Sequence, residues 1–226
     1  MINLSDIQQK IESNGKYWIA FVGDSITSCE WVHPNWREIV EYVLKAKLDG
    51  DWGLRCFNFG YDGSTTKDIL EKVDYINSVN PDLVIMMIGG NDPFLNISVT
   101  DHIKNINEIK EKIDTNLVLS TDNKPWNDVA VSKYLPYINA DINSGFDNFI
   151  NLFNRSDSFP KERIYTFSSE ENPIENIKEG DLDYWHPNSL GNAYIAKVIL
   201  KEVFDIDFDP EIYIEDIKSG EKLPRY

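Results

Sequence analysis

The regular alternation of short apolar runs with amphipathic patterns constrains the fold of this chain most. Five runs are apolar along nearly their whole length, which is typical of strands covered on both faces by helices. These predicted strands are residues 17–23, 53–60, 82–89, 116–121 and 163–168. Because helical patterns separate them, we expect parallel pairing through right-handed crossovers.

Helical periodicity fills the intervals between the predicted strands. The predicted helices cover residues 35–48, 66–78, 100–114, 128–154 and 189–204, and residues 3–13 form another helix ahead of the first strand. This order of elements places the chain in the α/β class, as a three-layer α/β/α sandwich.

The length of the chain, 226 residues, suits one sizeable α/β domain better than two smaller ones. No linker rich in serine, glycine or proline divides it. We expect a single domain over residues 1–226, with a core of about 15–204 and an acidic, irregular C-terminal extension over 205–226.

The charge balance narrows the choice of partners. The formal net charge is −16, from 22 basic and 38 acidic residues. Phosphate backbones and anionic lipid surfaces are bound mainly through lysine and arginine, so an acidic protein repels them. We therefore expect no nucleic-acid partner and no stable membrane association, whereas the oligomeric state stays open.

The N-terminal residues and the cysteines bear on the compartment. Residues 1–16 lack the basic segment and apolar run of a signal peptide, so we expect a cytoplasmic protein. Cys29 and Cys56 fit a reducing compartment and do not have the spacing of metal ligands. We expect both to be small buried side chains, although a nucleophilic role of Cys29 stays open.

Polar clusters follow the predicted strands at the positions where α/β proteins bind ligands. In open α/β sheets the ligand lies beyond the carboxyl ends of the strands, and parallel strands share that edge. We therefore expect the clusters to meet in space. They are residues 23–25, 58–63, 89–92 and 183–188.

Together these clusters contain the groups that acyl transfer requires: a nucleophile, a base, a residue that orients the base, and donors for the oxyanion. Ser25 is the candidate nucleophile and His186 the candidate base, with Asp183 three residues before it. The backbone N–H groups of Ser25 and Gly60 and the side-chain amide of Asn91 are the candidate oxyanion donors.

Each of these residues alone also has an ordinary structural explanation. A serine after a strand often caps a helix, and glycines often serve turn geometry. The other two histidines are weaker candidates, because His33 lies in a loop and His102 in a helical pattern where we expect it to be solvated. The joint placement of the four clusters therefore favours the catalytic interpretation.

The four motifs, taken in order, resemble those of the SGNH (GDSL-type) hydrolases over residues 17 to about 200. The matching segments are Gly23-Asp24-Ser25-Ile26, Asn58-Phe59-Gly60, Gly89-Gly90-Asn91-Asp92 and Asp183-Tyr184-Trp185-His186. The chain departs from the common pattern after the first motif, where Thr27-Ser28-Cys29 replaces a frequent glycine. The G-x-S-x-G elbow of other hydrolases is also absent, because Thr27 occupies its last position.

The resemblance implies a flavodoxin-like, five-stranded parallel sheet with strand order 2-1-3-4-5. It implies ester hydrolysis through an acyl-enzyme, with no metal and no organic cofactor. It further implies that Ser25, Asp183 and His186 form the catalytic triad, and that Ser25, Gly60 and Asn91 form the oxyanion hole.

The substrate is less constrained than the chemistry. We assign Asp24, Tyr61 and Trp185 to the substrate pocket. The segment after Asn91 leads quickly into the next helix, so we expect no large lid and a shallow site for short acyl groups, such as O-acetyl esters of carbohydrates.

Several alternative functions stay open on the sequence alone. Lysophospholipase, thioesterase and acyltransferase activities use the same catalytic groups, and a non-catalytic glycan-binding module could share the fold. A flavin or nucleotide protein would need a phosphate-binding loop, for which Ser64-Thr65-Thr66 is a poor match without a lysine.

Overall fold

The computed structural model describes residues 1–28, 32–48, 50, 52–167 and 179–226. Within these residues five parallel strands form a sheet with the order β2-β1-β3-β4-β5. The strands are β1 (Tyr17–Gly23), β2 (Leu54–Gly60), β3 (Leu83–Met87), β4 (Asn116–Ser120) and β5 (Phe149–Ile150). The predicted α/β class and the strand order 2-1-3-4-5 are confirmed.

Helices lie on both sides of the sheet. Those of the described residues are α1 (Leu4–Asn14), α2 (Trp36–Lys47), α3 (Thr66–Glu71), α4 (Val73–Ser78), α5 (Val99–Lys112), α6 (Asp128–Asn143), α7 (Leu152–Arg155), α8 (Lys161–Ile164), α9 (Ser189–Phe204) and α10 (Pro210–Lys218). The helix predicted over 66–78 is interrupted at Lys72, whose backbone is not helical. None of the described helices is long and apolar enough to cross a membrane.

The two faces of the sheet bury separate core clusters. Along β1, Ile19 and Phe21 pack in the cluster that includes residues of α1, α2, α9 and α10. Ala20 and Val22 pack in the other cluster, with residues of α3, α4 and α5. Successive side chains of a strand point to opposite faces. A strand covered on both faces is therefore apolar throughout, which explains the unbroken run in the sequence.

The fifth strand was predicted in the wrong place. The edge of the sheet is formed by Phe149–Ile150, which pairs with Leu119 and Ser120, so the helix predicted over 128–154 ends at Asn143. The segment predicted as a strand, 163–168, instead contains the end of α8 and an isolated antiparallel bridge between Thr166 and Leu182, and residue 168 lies outside the described residues. Its apolar residues are buried. Burial alone does not distinguish a strand from a short buried helix.

The C-terminal segment is more regular than its composition suggested. Helix α10 begins after Asp209, whose side chain accepts hydrogen bonds from the N–H groups of Glu211 and Ile212. Tyr213 and Ile214 of this helix are buried in the core cluster that α9 also joins. The expectation of an irregular extension over 205–226 is therefore wrong for this helix.

The register of the sheet brings four chain segments together at one edge. Gly23, the last residue of β1, pairs with Gly60 on one side and with Met87 on the other. Met87 pairs in turn with Ser120 at the end of β4. The residues that follow these four strand ends are consequently neighbours, and three of the four predicted polar clusters, residues 23–25, 58–63 and 89–92, lie among them. The fourth cluster, 183–188, follows no strand of the sheet and precedes α9.

Candidate active site

A serine, a histidine and an aspartate form a hydrogen-bonded chain at the carboxyl edge of the sheet. Ser25 Oγ lies 3.0 Å from His186 Nε2, although the two residues are 161 positions apart. His186 Nδ1 lies 2.7 Å from Asp183 Oδ2. Ser25 is the second residue after β1, and His186 lies just before α9. In this arrangement the imidazole can accept the hydroxyl proton while the carboxylate stabilises the resulting charge.

The environment of Asp183 fixes the protonation of the neighbouring ring. Burial opposes its ionisation, but the hydrogen bond and charge of His186 outweigh burial and lower the pKa of Asp183. Its Oδ1 also accepts the N–H groups of Trp185 at 2.8 Å and His186 at 3.1 Å. An ionised carboxylate only accepts hydrogen bonds, so Nδ1 of His186 carries the proton and Nε2 can accept the hydrogen bond from Ser25.

The turn after β1 presents Ser25 to the site. The carbonyl of Asp24 accepts the N–H groups of Thr27 at 3.0 Å and Ser28 at 2.9 Å, which closes the turn. The Asp24 side chain accepts the N–H of Ile26 at 3.0 Å. The N–H of Ser25 donates to no acceptor among the described residues, so it is available to a ligand beside the hydroxyl group.

Asn91 follows β3 and extends its side-chain amide toward the same turn. Its Nδ2 donates to Asp24 Oδ2 at 3.2 Å and to the carbonyl of Ser64 at 3.0 Å. Gly63, the residue before Ser64, has a φ of 69°, in the left-handed region that favours glycine. Its N–H donates to no acceptor in the described part of the chain. A free backbone donor therefore lies one residue from the carbonyl that Asn91 contacts.

Gly60 has a structural role that the sequence analysis did not anticipate. A Cβ atom at this position would overlap the backbone of Thr27 and Ser28, so glycine lets the end of β2 approach the Ser25 turn. Its N–H donates to Asn58 Oδ1 at 2.9 Å. Because this N–H is engaged here, Gly60 could serve as the predicted oxyanion donor only by exchanging its contact with Asn58.

A buried histidine supports the loop that carries Asn91. His102 is 0% exposed, and its Nδ1 and Nε2 lie 2.8 Å from Asp92 Oδ2 and 3.0 Å from Asp141 Oδ1. Asp92 also accepts the N–H of Thr66 at 2.9 Å and its hydroxyl at 2.6 Å. The cluster therefore ties α3, α5 and α6 to the loop after β3.

The position and charge of His102 correct the expectation that it is solvated. Burial favours the neutral ring, but the hydrogen bonds that the ring donates to Asp141 and Asp92, and their negative charges, outweigh burial and raise the pKa of His102 to about 9. The sequence did hold a signal, because His102 lies on the same face of α5 as the buried Ile106 and Ile109.

A cavity of about 100 Å³ adjoins the Ser25 hydroxyl. It is lined by Asp24, Ser25, Ile26, Asn91, Asp122, Asn123, Pro125, Tyr134, Trp185 and His186. Two of the three predicted pocket residues, Asp24 and Trp185, are therefore present. Tyr61 is not among the described lining residues; it packs against the core cluster of α3 to α5, with Lys72 Nζ 5.0 Å from its ring centroid.

Asp122 and Asn123 are site residues that the sequence analysis missed. They follow β4 directly and are each only 3% exposed. Burial raises the pKa of Asp122 to about 7, and burial together with the charge of Asp122 raises the pKa of Asp24 well above its usual range. Their position directly after the predicted strand 116–121 is the sequence signal for them, because ligands of α/β sheets lie beyond the strand ends.

The remaining candidates are placed as follows. Cys29 lies outside the described residues, and burial raises the pKa of the Cys56 thiol, which disfavours the reactive thiolate. The side chains of Thr65 and Thr66 are committed to Asp68 and Asp92, so this segment does not present a phosphate-binding loop. The described residues contain no group of three or more acidic, histidine or cysteine side chains that could hold a metal ion.

A five-stranded parallel sheet of this order, with a hydrogen-bonded serine, histidine and aspartate at its carboxyl edge, defines a serine-type hydrolase on an α/β/α sandwich. The chain belongs to the GDSL-like lipase/acylhydrolase family, whose family model matches residues 19–199. It is an ester-hydrolysing enzyme of the SGNH type, and the family predicted from the four motifs is confirmed.

Solved structures show the same fold at low sequence identity. A lipase/acylhydrolase from Enterococcus faecalis is 19% identical, with a TM-score of 0.63, and the match covers 83% of this chain and 95% of that one. An acetylxylan esterase from Geobacillus stearothermophilus is 17% identical, with a TM-score of 0.59, and the match covers 82% of this chain and 93% of that one. A comparison with curated proteins finds no match.

Proposed function

We propose that this enzyme hydrolyses esters of short acyl groups, with O-acetyl groups on carbohydrates as its substrates, through an acyl-enzyme on Ser25. The observation that carries the proposal is the 3.0 Å contact between Ser25 Oγ and His186 Nε2. A histidine held by a carboxylate and facing a serine hydroxyl has a direct use in acyl transfer, whereas a binding module has no need of it.

Acylation follows from this geometry. His186 Nε2 takes the Ser25 proton as Oγ attacks the ester carbonyl carbon, and Asp183 stabilises the imidazolium that forms. The imidazolium then gives that proton to the leaving alkoxide, which departs as an alcohol. In deacylation His186 takes a proton from water, the hydroxide attacks the acyl group, and the proton returns to Ser25 Oγ as the acid leaves.

Hydrogen-bond donors must stabilise the oxyanion of the tetrahedral intermediate. We assign this role to the N–H of Ser25, to Asn91 Nδ2 and to a glycine N–H from the segment after β2. Asn91 would exchange its 3.2 Å contact with Asp24, the longer of its two, for the oxyanion. We favour the free N–H of Gly63 over that of Gly60, which is bound to Asn58.

The size of the cavity supports a short acyl group. Its volume of about 100 Å³ is smaller than that of pockets that enclose drug-sized ligands, which is about 300–1,000 Å³. Trp185, which is 37% exposed, packs its ring edge-on against Phe94 with 5.0 Å between the centroids. Its exposed part can pack against a sugar ring at the entrance.

The structural neighbours support the same assignment. One of them is an acetylxylan esterase, and its catalytic mutants replace a serine, an aspartate or a histidine by alanine. In that chain the aspartate stands three positions before the histidine, as Asp183 stands before His186 here. We also keep two expectations from the sequence as proposals: a single domain over residues 1–226, and a cytoplasmic location.

A substrate panel tests the proposed function. Wild type and Ser25→Ala are compared on p-nitrophenyl esters from acetate to decanoate, acetylated xylosides, acyl-CoA and a lysophospholipid. We expect the highest kcat/KM on acetyl esters and loss of hydrolysis in Ser25→Ala. A maximum at decanoate, or preference for acyl-CoA or the lysophospholipid, would overturn the substrate assignment.

A further inference from the structure

Two buried acceptor atoms beside Ser25 have no donor among the described residues. They are Asp122 Oδ1 and Asn123 Oδ1, and both residues line the cavity. The two other buried side-chain atoms without a partner in the described chain belong to Thr27 and Trp36, which do not line it. Because a buried acceptor without a donor is unfavourable, two of them on adjacent residues that line a cavity point to a ligand that supplies the donors.

The surroundings of Asn123 determine which end of its amide is free. The hydroxyl of Tyr165 donates its proton to the carbonyl of Lys124 at 2.7 Å, so it accepts the hydrogen bond from Asn123 Nδ2 at 2.8 Å. The amide therefore cannot be turned round without loss of this bond. Its oxygen is left as an acceptor.

The carboxyl group of Asp122 is likewise fixed through one of its oxygens. Asp122 Oδ2 accepts the N–H of Gly90 at 2.6 Å, in the loop that also carries Asn91. This contact holds the side chain in place and leaves Oδ1 without a donor in the described residues. Each of these two side chains thus has one polar atom held by a hydrogen bond, Asp122 Oδ2 and Asn123 Nδ2, and one oxygen without a donor in the described residues.

We propose that Asp122 and Asn123 form a hydroxyl-binding subsite next to the nucleophile, and that the enzyme prefers esters with a hydroxyl group close to the scissile bond. A hydroxyl donates a single proton, so two acceptors match two neighbouring hydroxyls, as on a partly acetylated sugar. The inference rests on the proposed function and specifies its substrate class. Asn123 is neutral, so the pair carries at most one negative charge and suits hydroxyl donors better than a permanent cation.

Paired substrates that differ by one hydroxyl test this subsite. We compare a monoacetylated methyl xyloside with its deoxy analogue, which lacks the hydroxyl beside the ester. A second pair, an aryl glycolate and the matching aryl acetate, places the hydroxyl on the acyl side. For wild type we expect kcat/KM to be at least about tenfold higher for the hydroxylated member of one pair, which also shows the side of the ester that the subsite contacts.

The variant Asp122→Asn can place an NH₂ group, which donates hydrogen bonds, where Asp122 Oδ1 stands as an unsatisfied acceptor. The amide oxygen can keep the bond to Gly90, while the NH₂ group replaces the unsatisfied acceptor. We expect the hydroxyl preference, measured as the ratio of kcat/KM within a pair, to fall close to one. The matched control is Thr27→Val, which removes a buried oxygen that is also without a partner but lies outside the cavity lining, and it should keep the ratio.

The outcomes distinguish failure of the proposed subsite from failure of the proposed function. If wild type hydrolyses both members of each pair equally in a Ser25-dependent manner, the subsite is wrong and the esterase assignment stands. If Asp122→Asn keeps the wild-type ratio, the subsite is also wrong. If no acetyl ester is hydrolysed in a Ser25-dependent manner, the proposed function fails, and the subsite fails with it. The wild-type ratio decides the question even if Asp122→Asn does not fold.

Discussion

His102 donates a 2.8 Å hydrogen bond to Asp92, the residue directly after Asn91, from a position that is fully buried. Its other ring nitrogen is 3.0 Å from Asp141 on α6. A charged imidazolium therefore links two buried carboxylates behind the loop that holds the amide of Asn91. Stability and catalysis are coupled at this point, because the same loop serves the core and the site.

Removal of His102 should strongly destabilise the protein. The variant His102→Leu leaves the carboxylates of Asp92 and Asp141 buried without their cation, which we expect to cost about 3–5 kcal/mol of unfolding free energy. Urea unfolding followed by circular dichroism measures the loss. The matched control is His33→Leu, because His33 pairs with Glu38 at an exposed position. A loss for His102→Leu no greater than that of the control would contradict the buried charge cluster.

The free energy of unfolding should fall as the pH rises from slightly acidic to alkaline values. The pKa of His102 is raised from its usual value of 6.5 to about 9, so the folded state binds the proton more tightly than the unfolded state. Its stabilising contribution is complete below pH 6.5 and is lost as the pH passes through about 9. The pKa of Asp122, raised to about 7, acts in the same direction between its usual 3.8 and 7.

Urea midpoints measured at several pH values test this dependence. The decrease above neutral pH should be smaller in His102→Gln, because that variant lacks the titrating ring. A wild-type midpoint that stays constant or rises across this range would show that His102 does not hold its proton in the folded state.

Substitution of Asn91 should affect turnover more than ground-state binding. In Asn91→Ala we expect kcat to fall by about a hundredfold or more, because one oxyanion donor contributes on the order of 3 kcal/mol in the transition state. Steady-state kinetics on p-nitrophenyl acetate separate kcat from KM. An increase in KM with an unchanged kcat would instead indicate that Asn91 binds the substrate before reaction.

Asp183→Asn should impair catalysis while it preserves the shape of the site. The amide can still contact His186 Nδ1, but it no longer stabilises the imidazolium or enforces the Nδ1–H tautomer. We expect kcat to fall by about four orders of magnitude. The matched control is Asp157→Asn, since Asp157 pairs with Lys124 in a half-exposed ion pair away from the triad. Equal activity of the two variants would remove Asp183 from the mechanism.

The sequence predicted those parts of the fold that depend on local pattern. The strands β1 to β4 could be predicted because each contains a short, mostly apolar run, whereas their order was implied by the resemblance to the SGNH hydrolases. The edge strand Phe149–Ile150 could not, because two residues give no periodic pattern and its pairing with β4 is a tertiary contact.

Within the site, the features that the sequence could not predict have a different cause from the missed edge strand. Ser25, Asn91, Asp183 and His186 could be proposed because their residue types and positions match a reaction. The engagement of Gly60 by Asn58 depends on a side-chain rotamer, and the burial of His102 depends on partners in the loop after β3 and in α6, neither of which the sequence specifies.

A fluorophosphonate probe followed by peptide mass spectrometry examines whether Ser25 is the activated nucleophile. The phosphonyl adduct should form on Ser25 in wild type, should be absent from Ser25→Ala, and should form far more slowly in His186→Ala, because the 3.0 Å contact with His186 activates the hydroxyl. Labelling of another serine, or equal rates in wild type and His186→Ala, would contradict the proposed mechanism.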